Sequence, residues 1–345
     1  MTAGINSALA NRIGTLAARP GPAITAAEGI HLVADLRNQA GKAFGYVAEI
    51  TGLDAAAKTA AATETLVVDR RGLVRGLVNT AIAMTGPMWD QEEMSWLGQQ
   101  TAGVQLGALT GLLGRRVLGH YDPFYVSRRG VPGRIVLVAP NIARFERETE
   151  ADPRDFHLWV ALHEVTHAVQ FAAAPWLAGW IRGRLDALIA ADDESASAGN
   201  LVDAVRRLPE LFADDAPSNA AARLLSPEQS RILAELTAAM SLLEGHADVI
   251  MDAVGPKAVK TLEQLRPRFE ARRLASGRLE RALRRLAGIE AKTAQYVQGA
   301  AFVRAGLAEL GHEGFNAVFK SVEALPTAVE MDDPAVWTRR LGQGL

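Results

Sequence analysis

The chain contains no cysteine. Disulfides, thiolate metal sites and a cysteine nucleophile are therefore excluded, and any transition metal must be held by His, Asp or Glu. An excess of one charge is also lacking, since 37 Lys+Arg against 39 Asp+Glu leave a formal net charge of −2. With no basic excess and no long like-charge run, nucleic acid is not an expected partner; the Arg-rich stretch 280–285 reads as a solvated helix face. Long apolar runs are missing too. The most apolar stretch, 168–181, is interrupted by Gln170 and Pro175, and it is shorter than the roughly 20 residues needed to cross a bilayer. The opening MTAGINSALANRIG has neither the basic start nor the continuous apolar stretch of a signal peptide. No transmembrane segment and a cytoplasmic location are the expectations.

Apolar residues make up 49% of 345, enough for a substantial core in one large domain or two packed together. Ala, Leu and Arg recur with helical periodicity, so the fold should be mainly α. Helices are expected near Ala26–Thr51, over 73–84, and over 94–118, where several glycines interrupt the pattern. The main strand candidate is 134–138, short and β-branched between Pro132-Gly133 and Pro140-Asn141; Val67-Val68 and Tyr125-Val126 are weaker ones.

Two later helices carry start signals. Asp152-Pro153 sets a capping acid before a first-turn proline, with Asp155 beside it, and the helix should run to about Ala173. Ser226-Pro227-Glu228-Gln229 is a capping box, and its helix should run to about Val254. Between them, 190–217 is rich in Ala, Asp and Ser and reads as a polar insertion.

The first of these helices contains His163-Glu164-Val165-Thr166-His167, an HExxH motif. A spacing of four puts both imidazoles on one helix face, where they can reach one Zn²⁺. Glu164, beside the first ligand, can take a proton from a metal-bound water whose pKa has fallen towards about 7. With His at about 2% and Glu near 6%, a random chain of this length yields the motif about once in a hundred. Its place in a capped, largely apolar helix adds weight, because two imidazoles and a carboxylate there are costly without a task.

A catalytic zinc needs a third protein ligand. Gln170 and Ala173 occupy the glycine and histidine positions of the HExxHxxGxxH extension, which excludes that arrangement. The second capped helix offers Leu243-Glu244-Gly245-His246-Ala247-Asp248. Glu244 and Asp248 are four apart and share a face. Glu244 can bind the metal while Asp248 accepts from the free ring nitrogen of His163 or His167, the ExxxD pattern of gluzincins. His246 is the alternative ligand, but it lies roughly 200° from Glu244 around the helix, so only one of the two can face the ion. His246 is otherwise a core histidine or a substrate contact, and Gly245 marks close backbone approach or tight helix packing.

LGHYDPF, GRIVLVAPNI, WVALHEVTHAVQF, EGHADVIMDAVG, KTAQYVQGAAFV and LPTAVEMDDPAVW together resemble a zincin-like family described as zinc-dependent metalloproteases. Some of its members are associated with deazaflavin-cofactor biosynthesis. The resemblance spans roughly residues 65–340. It implies a mainly helical zincin-like fold, with a small β-sheet or edge strand beside the HExxH helix, and a hydrolase, but no substrate. Residues 1–125 then form an N-terminal helical region and 126–345 the metal-binding region with a helical C-terminal part.

Further candidates follow from what such a site needs. Tyr296, sharing a helix face with Lys292, is the expected donor to the oxyanion formed when water attacks a carbonyl. His120 and Tyr121, in an expected turn at 119–123, could border the cleft. Strand 134–138 is either an edge that pairs with an extended peptide or a core strand, with Asn141 just beyond it. His157 falls on another helix face from His163. Three functions stay open: a metallopeptidase acting on a peptide or peptide-like substrate, a hydrolase of a small amide metabolite, and a non-catalytic zinc-stabilised scaffold. Glu164 argues against the last, which has no use for a base.

Overall fold

The computed structural model describes residues 5–89, 95–128, 130–191, 226–268 and 295–342. The chain divides into two compact units. The first comprises Met1–Glu49, Leu53–Ala172 and Val254–Leu265; the second comprises Ile50–Gly52, Ala173–Ala253 and Arg266–Leu345. Most of the polar insertion expected at 190–217 lies outside the described residues. Among the described residues no helix is long and apolar enough to cross a membrane.

The first unit carries helices α1 (Ser7–Ala18), α2 (Ala26–Thr51, entering the second unit at its last turn), α3 (Asp54–Ala60), α4 (Arg70–Trp89), α5 (Trp96–Gly114), α6 (Ala139–Thr149) and α7 (Pro153–Ala173). Its strands are β1 (Glu64–Val68), β2 (Gly119–Val126) and β3 (Pro132–Val138). The glycines of α5 are packing devices. A Cβ on Gly107 would stand 2.6 Å from the Ala10 carbonyl oxygen, and one on Gly111 would stand 2.5 Å from Ala17 Cβ, so α1 and α5 pack nearly backbone to backbone.

The sheet has the order β1-β3-β2, with β1 parallel and β2 antiparallel to β3. Ile135, Leu137 and Val138 of β3 are fully buried, as the run of β-branched and apolar residues requires for a central strand. The candidate edge strand is therefore central. Its hydrogen-bonding edges are occupied by β1 and β2, and the edge role passes to β2, which pairs with β3 alone among the described residues. Residues 119–123, expected as a turn, are part of that strand.

Helix α7 starts as its sequence dictates, with the Asp155 N–H donating to the Asp152 carboxylate at 3.0 Å. Almost every residue from Asp155 to Gln170 is buried, so this helix is enclosed on all sides and its polar groups must each be compensated there.

The second unit is helical. Its longest elements are α8 (Leu177–Ala190), α9 (Pro227–Ala253) and α10 (Gln295–Phe315), the last broken at Gly311 with φ 65°. The capping box of α9 forms in full: Gln229 N–H donates to Ser226 Oγ at 3.1 Å and Ser226 N–H to Gln229 Oε1 at 2.9 Å. Helices α9 and α10 cross at Gly245 and Gly299, where a Cβ on Gly245 would stand 2.2 Å from the Gly299 carbonyl carbon. Phe302, Phe315 and Trp337 form the aromatic centre of this unit.

Candidate metal centre

His163 and His167 project from one face of α7 with their Nε2 atoms 3.2 Å apart and their rings perpendicular. The Nδ1 of His167 faces the Oε1 of Gln170 at 2.9 Å, and Gln170 is fully buried. An amide oxygen only accepts, so His167 donates from Nδ1 and keeps the Nε2 lone pair for a cation. In the sequence Gln170 stands out as a break in the apolar stretch 168–181 and as the residue at the glycine position of the HExxHxxGxxH extension. The sequence signal for its actual place was the i, i+3 spacing from His167 on a buried helix.

Glu164 lies between these two histidines in sequence and is 6% exposed. Its carboxyl group rests against Gly119 at the start of β2, where a Cβ would stand 2.5 Å from Oε1, 2.6 Å from Cγ and 2.7 Å from Cδ. The edge strand thus reaches the candidate base at a residue without a side chain. Two residues on, Tyr121 faces the same helix and packs on Phe171 with centroids 5.3 Å apart. Burial, and next the Asp122 charge, push the Tyr121 phenol up to about 12, so it stays protonated at neutral pH.

Strand alternation sends His120 the other way, where it lines a small hollow with Leu73, Gly76, Asp122 and Arg134. Asn141, considered for a substrate contact, is occupied within the fold: its Oδ1 accepts from Arg70 Nε at 2.7 Å, and its Nδ2 donates to the Gly114 and Val117 carbonyls. His157 is a buried junction, with Nδ1 2.6 Å from Asp35 and Nε2 3.1 Å from Glu146. Burial opposes its charged form, but the hydrogen bonds and charges of Glu146 and Asp35 outweigh it, and the His157 pKa is raised.

In the second unit, α9 carries Glu244, half-buried, and Asp248, buried one turn later. His246 is 1% exposed, stacked on Phe315 at 5.6 Å and 7°, with Phe319 edge-on at 5.5 Å. That aromatic slot is the core-histidine setting. Gly245 has the packing role weighed for it, at the crossing with Gly299. Tyr296 falls in the first turn of α10; its side chain and all of Lys292 lie outside the described residues.

A model of the zincin-like metallopeptidase family matches residues 5–338. Among solved structures the chain resembles a protein of Chloroflexus aurantiacus, provisionally described as a hydrolase with a novel fold. The two are 25% identical, with a TM-score of 0.71, covering 99% of this chain and 100% of that one. No curated protein matches the chain.

The family implies a metal, typically zinc, and the α7 donors fit one. A tetrahedral ion with Zn–N bonds of about 2.0–2.1 Å sets two ligand nitrogens roughly 3.3–3.4 Å apart. The two Nε2 atoms, at 3.2 Å, are close to that separation. The donors are imidazole and carboxylate, the types zinc takes where cysteine is absent.

Proposed function

The chain belongs to the zincin-like metallopeptidase family, and from that premise we propose that it is a zinc-dependent peptidase. His163, His167 and Glu244 hold the ion, Glu164 is the general base, and the substrate is a peptide or peptide-like amide. The observation that carries this reading is the pair of Nε2 atoms 3.2 Å apart on a buried helix whose next residue along is a buried carboxylate. Glu244 is proposed as third ligand for its carboxylate donor and for the ExxxD spacing it shares with Asp248 on α9. Asp248, one turn from Glu244, is assigned to orienting a ligand imidazole.

Zinc in such a site supplies Lewis acidity, polarising the carbonyl and making water acidic near neutral pH. Glu164 takes the proton of the attacking water and returns it to the departing amine. Low exposure keeps bulk water away from its carboxylate, so the proton it gains is held for that second step. An extended peptide would pair with β2, the strand at the sheet's edge, and Gly119 of that strand sets its backbone directly beside the Glu164 carboxyl. Tyr296 is assigned as donor to the developing oxyanion.

Purified protein should hold about one zinc per chain, removable by chelation, and His163→Ala or His167→Ala should abolish tight binding. Glu164→Gln should keep the metal and lose hydrolysis by about 10²–10⁴-fold or more. A wild-type protein that neither contains nor takes up zinc would overturn the proposal. Unchanged turnover in Glu164→Gln would overturn the role of Glu164.

A further inference from the structure

Within α7 the ring of His167 has two nitrogens with different surroundings. Nε2 faces His163 Nε2 at 3.2 Å, and Nδ1 faces Gln170 Oε1 at 2.9 Å. Neutral imidazole carries one N–H, and a ring with its proton on Nε2 cannot bind a metal through that atom. The site therefore works only if something keeps the proton on Nδ1. We propose that Gln170 is that positioning residue: its side-chain carbonyl holds the Nδ1 proton of His167 and so fixes Nε2 as the ligand atom. The proposal rests on the zinc site argued above.

Three features support the assignment. Gln170 is fully buried in a helix that is buried along nearly its whole length, where an amide needs polar partners to offset its desolvation. Its spacing of three from His167 puts both side chains on one face of a rigid element, so the contact survives without help from a loop. The group is also neutral. A carboxylate in this place would pull harder on the ring proton and add a negative charge beside the metal. An amide orients the ring while leaving the charge of the site to the ligands and Glu164.

The test uses the full chain and zinc itself. In metal-free wild-type protein above pH 8, ¹⁵N NMR of the imidazoles should show His167 protonated on Nδ1. Zinc affinity, measured by competition with a chelator, should fall about 10–100-fold in Gln170→Leu, as losses of ligand-orienting partners do. In Gln170→Glu affinity should stay at the wild-type level or rise. A merely structural Gln170 would lower the melting temperature and leave zinc affinity where it was. That result, or an Nε2–H tautomer in the wild-type ring, overturns the assignment. The tautomer measurement needs no variant and decides the question even if Gln170→Leu fails to fold. Wild-type protein that takes no zinc overturns both this inference and the proposed function. Wild-type zinc binding unaltered in Gln170→Leu overturns this one alone.

Discussion

The carboxyl group of Glu164 rests on the bare Cα of Gly119, so close that any Cβ there would lie 2.5 Å from Oε1. This is a contact between a base and a backbone. The atoms a methyl group would crowd are Oε1, Cγ and Cδ of the Glu164 side chain, so it is that side chain which has to give. Gly119→Ala should therefore leave the fold and the zinc content intact while displacing the base. A misplacement of about 1 Å near the chemistry can cost about 10²-fold in turnover. Zinc stoichiometry and turnover measured side by side check this. Wild-type turnover in Gly119→Ala would mean that Glu164 does not act from the place it occupies here.

His157 predicts a pH dependence of stability that is separate from activity. Its ring lies between the carboxylates of Asp35 on α2 and Glu146 on α6, and its pKa is raised above the ordinary value. Because the folded pKa exceeds the unfolded one, near 6.5, the stabilisation is fully present below about pH 6.5. It is lost as the pH climbs through the folded pKa. His157→Gln should cost about 1–3 kcal/mol at pH 6, a range set by hydrogen bonds to charged groups and lowered by the partial exposure of both carboxylates. Urea unfolding of wild type and variant at pH 6 and pH 10 should show the gap shrinking at the higher pH. A gap that stays constant or widens would show that His157 is not held as an imidazolium.

The parts of this protein that were legible in the sequence are those written as local spacing. HExxH needs only helical periodicity to bring His163 and His167 together, and the capped starts at Asp152 and Ser226 form as their residues dictate. What stayed hidden depends on partners far along the chain. The strand at 134–138 reads the same whether central or at an edge, since the apolar run shows burial on both faces and not which strands lie beside it. The glycines of α5 look like helix breakers until α1 is packed against them. Asn141 looks like a free amide beyond a strand, and its three partners come from Arg70, Gly114 and Val117, all distant in sequence. Gly119 carried no signal at all, because its task is to be absent where Glu164 sits.

The third ligand is decided by three variants on one helix. Glu244 and Asp248 are one turn apart on α9, whereas His246 sits in the slot formed by Phe315 and Phe319. Turning His246 out of that slot would forfeit a stacked contact and leave a cavity between two rings. Glu244→Ala should accordingly remove a direct metal bond and weaken zinc binding by more than the other two changes. Asp248→Ala should weaken it by about 10–100-fold, the usual effect of losing a group that orients a ligand ring. His246→Ala should leave zinc affinity near wild type but lower the melting temperature, because the deletion empties core volume in the second unit. Calorimetric zinc titration and thermal unfolding of the three variants separate these outcomes. Zinc lost from His246→Ala and kept by Glu244→Ala would reverse the assignment, and Asp248 would then have no ligand pattern to belong to.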